Sequence, residues 1–306
     1  MTSGAKASWI AADWGTTNLR VWMLDEVGGI VHHASSEKGM GKLERREFEP
    51  VLLDLIDPFL THGQKTPVVI CGMAGSRQGW AEAPYRSAPC GPPSIEDATA
   101  VITKDARIDV RILPGIKQLD PADVMRGEET QIAGFLADHP DFTGTLCLPG
   151  THTKWCEISF GIVKRFRTFM TGEIFSLLSE QSVLRHSLSK NAPDTEAFTN
   201  AVKHCVREPE SLAAELFGIR AGSLVADLLP ETARSRLSGL LIGSELASIT
   251  KNFSVRRAVI LGSDHIAQAY ATALSGLGHS PQVMDASAIT LRGLTLAHNA
   301  YRRLPQ

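Results

Sequence analysis

Read as a string of apolar and polar positions, the chain opens with two short hydrophobic runs, 8–13 and 18–24, separated by Gly15-Thr16-Thr17. Their β-branched and aromatic side chains predict two strands joined by a turn. "GGIVHHASS" predicts a third strand. Phe48, Val51, Leu52, Leu55, Ile56 and Phe59 then recur at the spacing of an amphipathic helix. Residues 68–71 read as a buried strand running into the glycine-rich "GMAGSRQGW", and "DVRILPG" as another strand. The proline-rich "APYRSAPCGPPS" between them reads as an extended loop. "RGEETQIAGFLAD" predicts a helix whose acidic residues sit in the first turn, where the helix dipole favours them.

The pattern then begins again. From residue 144 the chain reads as a strand, a Gly-Thr-His-Thr turn, more strand and a helix. Residues 180–250 are mostly helical in periodicity, punctuated by Pro193, Pro209 and Pro230. "RRAVILGSDHIAQAYATALSGLG" predicts a strand, a Gly262-Ser263 joint and a helix, and "ASAITLRGLTLAHNAYRRL" a closing helix. A strand, a Gly-Thr turn and a second strand thus occur twice, at 9–24 and 145–158. This internal duplication predicts two related α/β halves facing each other.

Composition narrows the classes. With 31 basic and 33 acidic residues the net charge is −2, so no basic field for nucleic acid is present. No apolar run approaches the roughly 18 residues of a membrane span, and "MTSGAKASWIAADWG" does not read as a signal peptide. The five cysteines (Cys71, Cys90, Cys147, Cys156, Cys205) show no CxxC pair, which argues against zinc or a disulfide framework. Reduced thiols and a cytoplasmic setting are expected.

Chemistry enters at Asp13, a carboxylate stranded in an apolar stretch that needs a partner. A turn of Gly15, Thr16 and Thr17, followed by Asn18, offers backbone N–H groups and hydroxyls together, which suits phosphate oxygens. A carboxylate just before it can hold hydrated Mg²⁺. A plain hairpin with a capping Asp would show the same residues. The second turn, Gly150-Thr151-His152-Thr153-Lys154 after Pro149, weighs toward a polyphosphate clamped from both sides. Gly262 and Ser263, where a strand meets a helix, suit a flat or anionic group.

Seven collinear segments, "DWGTTNLR", "CGMAGSRQGWAEAPY", "VMRGEETQIAG", "LPGTHTKW", "FRTFMTGE", "LSGLLIGSELAS" and "AVILGSDHIAQAY", resemble the 2-dehydro-3-deoxygalactonokinase family. That family lies within the superfamily of actin, sugar kinases and heat-shock chaperone ATPases. The resemblance implies two ribonuclease-H-like halves around an interdomain cleft. The first is expected to be 1–126 plus a tail helix 287–306, on the sugar-acid side. The second is expected to be 127–286, on the nucleotide side, with a helical insertion at about 175–250. The implied reaction moves the γ-phosphoryl of ATP, with Mg²⁺, to the 6-hydroxyl of 2-dehydro-3-deoxy-D-galactonate, a step of galactonate catabolism.

In related sugar kinases the base is an acidic residue after Gly at a helix start, which implies Glu128 here, after Gly127. Relatives commonly carry Asp at that place, and Glu129 is the alternative; the pair could also do no more than complement the dipole. Asp13 is implied as the metal ligand. Gly15, Thr16, Thr17, Asn18, Gly150, Thr151, His152, Lys154, Gly262 and Ser263 are the nucleotide candidates. A carboxylate substrate asks for a guanidinium fork, so Arg20, Arg77, Arg86 and Arg126 are candidates, with Gly75, Ser76 and Trp80 beside them. Arg167 and Glu173 match the family stretch without an assigned role. Rival readings are a kinase for another 2-keto-3-deoxy sugar acid, a phosphohydrolase, or a sugar-binding regulator on the same fold. The oligomeric state stays open, a homodimer among the alternatives.

Overall fold

In the computed structural model, which describes residues 6–189, 193–262 and 265–303, the chain divides into two compact units. The first comprises Met1–Phe142, Ser159–Arg165 and Ala286–Gln306; the second comprises Thr143–Ile158 and Phe166–Asp285. The first unit therefore runs past residue 126 and takes in the helix that follows Gly127.

The elements of the first unit are β1 (Trp9–Trp14), β2 (Leu19–Leu24), β3 (Ile30–Ser36), α1 (Phe48–Ile56), β4 (Thr66–Gly72), β5 (Tyr85–Ser87), β6 (Thr99–Val101), β7 (Ile108–Ile112), β8 (Gly115–Leu119), β9 (Ala122–Met125) and α2 (Glu128–Asp138). Its main sheet has the order β3-β2-β1-β4-β7-β6, and β5-β8-β9 form a small second sheet. The first three strands pair antiparallel, whereas β4 and β7 run parallel to β1. Alternation explains why β1 is apolar almost throughout. Ile10, Ala12 and Trp14 enter one core with Phe48 and Leu52 of α1, while Trp9 and Ala11 enter another. A strand covered on both faces cannot alternate with polar residues. Asp13 is the exception, at its C-terminal end.

The second unit begins with β10 (Gly144–Leu148), β11 (Thr153–Ser159) and the latter half of β12 (Ile162–Phe169), from Phe166 on. It continues through α3 (Thr171–Glu180), α4 (Thr195–Arg207), α5 (Leu212–Val225), α6 (Pro230–Ile249), β13 (Val259–Leu261), α7 (His265–Gly276) and β14 (Gln282–Met284). Its sheet order, β12-β11-β10-β13-β14, repeats the first five positions of the other sheet. β10 pairs antiparallel with β11 and parallel with β13, which pairs parallel with β14. The core joins Cys147 and Trp155 of the sheet to Phe198, Ile242, Leu246 and Tyr270 of the helices.

The closing helix α8 (Ala286–Tyr301) returns to the first unit. It crosses α2 at close range: a Cβ on Gly134 would overlap the Ile289 carbonyl oxygen, and one on Gly293 would overlap that of Thr130. Only glycine permits that approach.

Departures from the sequence reading are local. Tyr85–Ser87, inside the expected loop, pairs parallel with Gly115–Lys117, and β8 and β9 form an antiparallel hairpin. These strands have three to five residues, too few to establish a period. The first helix stops at Ile56, and Asp57–Phe59, with Pro58 at its start, makes a tighter turn. Among the described residues no helix is long and apolar enough to cross a membrane.

Candidate active site

In the first unit the candidate groups gather at the C-terminal ends of β1 and β4 and the start of α2. Asp13 faces Arg20 across the β1–β2 pair and Cys71 across β1–β4. The Arg20 guanidinium donates to Asp13 Oδ2 at 2.5 Å, and the Cys71 thiol lies 3.8 Å from Oδ1. The stranded carboxylate thus has its partner, the guanidinium of Arg20. The Asp13 side chain remains 17% exposed, so it sits at a rim.

The turn after Asp13 is held from outside. Gly39, Met40 and Gly41 donate their N–H groups to the carbonyls of Thr17, Gly15 and Thr16. The N–H of Gly15 donates to Asn18 O at 2.8 Å, so this amide serves the turn and not a phosphate. Thr16, Thr17 and Asn18 are exposed.

The two glutamates are sorted by α2. Gly127, at φ 107°, turns the chain into the helix. Glu129 folds back so that both its oxygens accept from the Gly127 N–H, at 2.9 and 2.8 Å, and only 1% of the residue is exposed. Burial, and next the neighbouring Glu128 charge, push Glu129 up to about 8. Glu128 is half-buried, with Oε2 accepting from the Arg126 N–H at 3.0 Å. Glu128 is therefore the one of the two with an exposed portion.

Arg126 stands out among the candidate arginines. It is 8% exposed, its Nη2 donates to Ala83 O at 2.7 Å, and its guanidinium lies 4.2 Å from the centre of the Tyr85 ring. Its Nε and Nη1 are buried without a hydrogen-bond partner, as is the hydroxyl of Ser76. Unpaired buried donors each cost about 1–3 kcal/mol, which marks a place for an acceptor. Gly75 leaves room beside Nη1, which a Cβ there would approach to 2.7 Å. Arg77 points to solvent, 82% exposed and 3.9 Å from Glu82, and Arg86 pairs with Asp97 at 3.1 Å. Trp80 is buried in the core against Trp14 and Phe48, so it packs the fold and not a ligand.

In the second unit Gly150, Thr151 and His152 form the corresponding turn between β10 and β11, with Thr151 and His152 exposed. The start of α3 packs on it. Glu173 donates its N–H to Thr151 O at 3.0 Å, and its carboxylate meets the His152 imidazole. Lys154 is buried, with Nζ donating to His152 O at 3.2 Å. Gly262 packs against Ala267 and donates its N–H to Met284 O, while Ser263 lies outside the described residues. Beside the turn opens a cavity of about 570 Å³, within the size range of small-molecule sites. Its lining is mostly apolar and includes Gly150, Phe175, Phe198, Ser238, Leu241 and Tyr270.

Sequence reasoning did not single out this cavity, the His152–Glu173 pair or Glu245, which lies buried beside the cavity. Glu245 carried the same signal as Asp13, a carboxylate within an apolar run. Among the described residues no group of three or more His, Cys, Asp or Glu side chains is placed to hold a metal.

A Rhizobium meliloti (strain 1021) protein named as a probable 2-dehydro-3-deoxygalactonokinase is 36% identical over 95% of this chain and 96% of its own length. The Escherichia coli (strain K12) 2-dehydro-3-deoxygalactonokinase is 35% identical over 83% and 85%. A crystal structure from Sinorhizobium meliloti with the same provisional assignment aligns over 97% of this chain and 100% of that one, at 36% identity and a TM-score of 0.88. An activator of 2-hydroxyisocaproyl-CoA dehydratase from Clostridium difficile, with bound ADPNP, shares the fold at 12% identity, TM-score 0.51, over 97% and 98%. The fold is mixed α/β, and the strand order of the second unit's sheet repeats that of the first five strands of the first unit's sheet. The family model described as 2-keto-3-deoxy-galactonokinase matches residues 13–297, and the chain belongs to that family.

Proposed function

We propose that this chain is an ATP-dependent sugar-acid kinase that phosphorylates the 6-hydroxyl of 2-dehydro-3-deoxy-D-galactonate. One observation carries this reading: the family match from residue 13 to residue 297 takes in both Gly-Thr turns and the Gly127-Glu128-Glu129 segment. The relatives at 35% and 36% identity bear the same activity in their names.

Phosphoryl transfer to an alcohol is mainly alignment and charge neutralisation, with a carboxylate to receive the hydroxyl proton. Glu128 takes that role, because Glu129 is folded onto Gly127 and pushed toward its protonated form. As Glu128 accepts the proton, the 6-oxygen bonds to the γ-phosphorus, the bond to the β–γ bridging oxygen breaks, and ADP leaves. The substrate carboxylate is assigned to Arg126 Nε and Nη1 and to the Ser76 hydroxyl, three buried polar atoms without a hydrogen-bond partner. The apolar cavity of the second unit takes the nucleoside, and Thr151 and His152 take phosphate oxygens.

Mg²⁺ fits the site at Asp13. A magnesium ion in a kinase is held by one or two carboxylates with phosphates and water, so a lone acid suffices. Asp13 is a partly exposed carboxylate near the end of β1, which supports this reading. Bound there, the ion would supply neutralisation of phosphate charge. The five free, buried cysteines support a cytoplasmic setting.

The test is ADP release with ATP and a panel of 2-keto-3-deoxy sugar acids and hexoses. The keto-deoxy galactonate should give the highest kcat/KM. Equal ADP release without any acceptor would replace the kinase with a phosphohydrolase, and preference for a hexose would overturn the substrate.

A further inference from the structure

An acidic knot lies buried in the second unit, apart from the groups assigned above. Glu245 of α6 is 3% exposed, and both its oxygens are occupied. The Trp155 indole N–H donates to Oε1 at 2.6 Å, the Tyr270 hydroxyl donates to Oε2 at 2.7 Å, and the Thr171 hydroxyl also donates to Oε2. The Tyr270 oxygen is 2.8 Å from the Thr153 hydroxyl. One carboxylate thus ties together α6, β11, α7 and the first residue of α3. Burial pushes Glu245 up to about 7. A well-packed apolar residue would avoid this desolvation, so a buried acid is weak evidence of a contribution to stability.

What the knot holds lies one residue further along. Gly172, after Thr171, is so close to the second turn that a Cβ would overlap the Gly150 carbonyl oxygen. Glu173 bonds Thr151 through its N–H and His152 through its carboxylate. Thr171 and Tyr270 also line the cavity. The hydroxyls that Glu245 fixes therefore belong to the cavity wall and to the helix start braced against the turn.

We propose that Glu245 is a positioning residue for the nucleotide, setting the Gly150–His152 turn and the cavity wall through Thr171 and Tyr270 without touching the ligand. This rests on the reading that the second unit holds ATP. Only an acceptor with two oxygens takes all three donors as they stand. A glutamine can replace it if the Thr171 and Tyr270 hydroxyls rotate to accept from its amide.

The test separates the two substrates kinetically, with melting curves recorded for each variant. Glu245→Leu should raise the KM for ATP about tenfold while the KM for the sugar acid stays within about twofold, because misplaced binding groups act on the ligand they position. Glu245→Gln should restore the ATP KM to near the wild-type value. Thr171→Val, which cuts only the tie to α3, should raise the ATP KM about threefold and decides the matter if Glu245→Leu does not fold. An unchanged ATP KM in folded Glu245→Leu and Thr171→Val, or equal rises in both KM values, overturns the inference. Ser238→Trp, which fills the cavity, guards the underlying reading. If ATP binds that variant normally, the nucleotide assignment fails; if it loses ATP while the Glu245 and Thr171 variants keep it, the positioning role alone fails.

Discussion

At the second pair back from the first turn, Asp13 faces Arg20; at the corresponding pair in the second unit, Cys147 faces Trp155. The two hairpins share a strand order and a turn chemistry, yet one pair is charged and partly exposed while the other is buried completely. In the second unit a buried acid stands on α6, where Glu245 accepts from the indole N–H of Trp155. A duplicated scaffold has thus kept its backbone and placed its charge differently. The first unit leaves Asp13 and Glu128 partly exposed, suited to reacting groups; in the second, Glu245 is buried beside an apolar cavity, suited to holding a shape.

The comparison breaks most sharply at α2. Glu128→Gln should lower kcat by about 10² or more, the range of general-base catalysis, with an unchanged melting curve. An inactive Glu129→Gln beside an active Glu128→Gln would move the base to the buried partner. Next comes Arg126→Lys, which keeps charge but loses the planar fork. It should raise the KM for the sugar acid by roughly tenfold, about 1.4 kcal/mol, and leave the KM for ATP alone. The mirror experiment is Gly172→Ala, whose methyl collides with the Gly150 carbonyl. A displaced turn should raise the KM for ATP several-fold, on the order of 1 kcal/mol, without affecting sugar-acid binding.

A different effect is on stability against pH. Burial raises Glu245 from 4.5 to about 7, so in that window the folded state holds a proton that the unfolded state has released. Its contribution is fully present below pH 4.5 and is lost as pH rises through 7. Between pH 5 and 8 the wild type should lose about 2–3 kcal/mol more stability than Glu245→Gln, read by denaturant midpoints.

Much of this was legible in the chain because strong local rules acted there. The strands of both hairpins, the helix from Phe48 and the helix opening with Glu128 and Glu129 follow from periodicity and turn residues. Asp13 was visible because a charge in an apolar run demands a partner. The roles of individual arginines were not visible, since Arg77, Arg86 and Arg126 differ only in tertiary surroundings, and burial without partners singles out Arg126. The cavity was equally hidden: α4, α6 and α7 each read as packed helices, and the space they leave depends on how they meet.

The close crossing of α2 and α8 has a consequence for biosynthesis. Residues 286–306 belong to the first unit, but the ribosome makes them after every residue of the second. The second unit can complete its core while the first still lacks the helix that covers Trp9, Ala11 and Val69. Maturation should therefore finish on the half that was begun first.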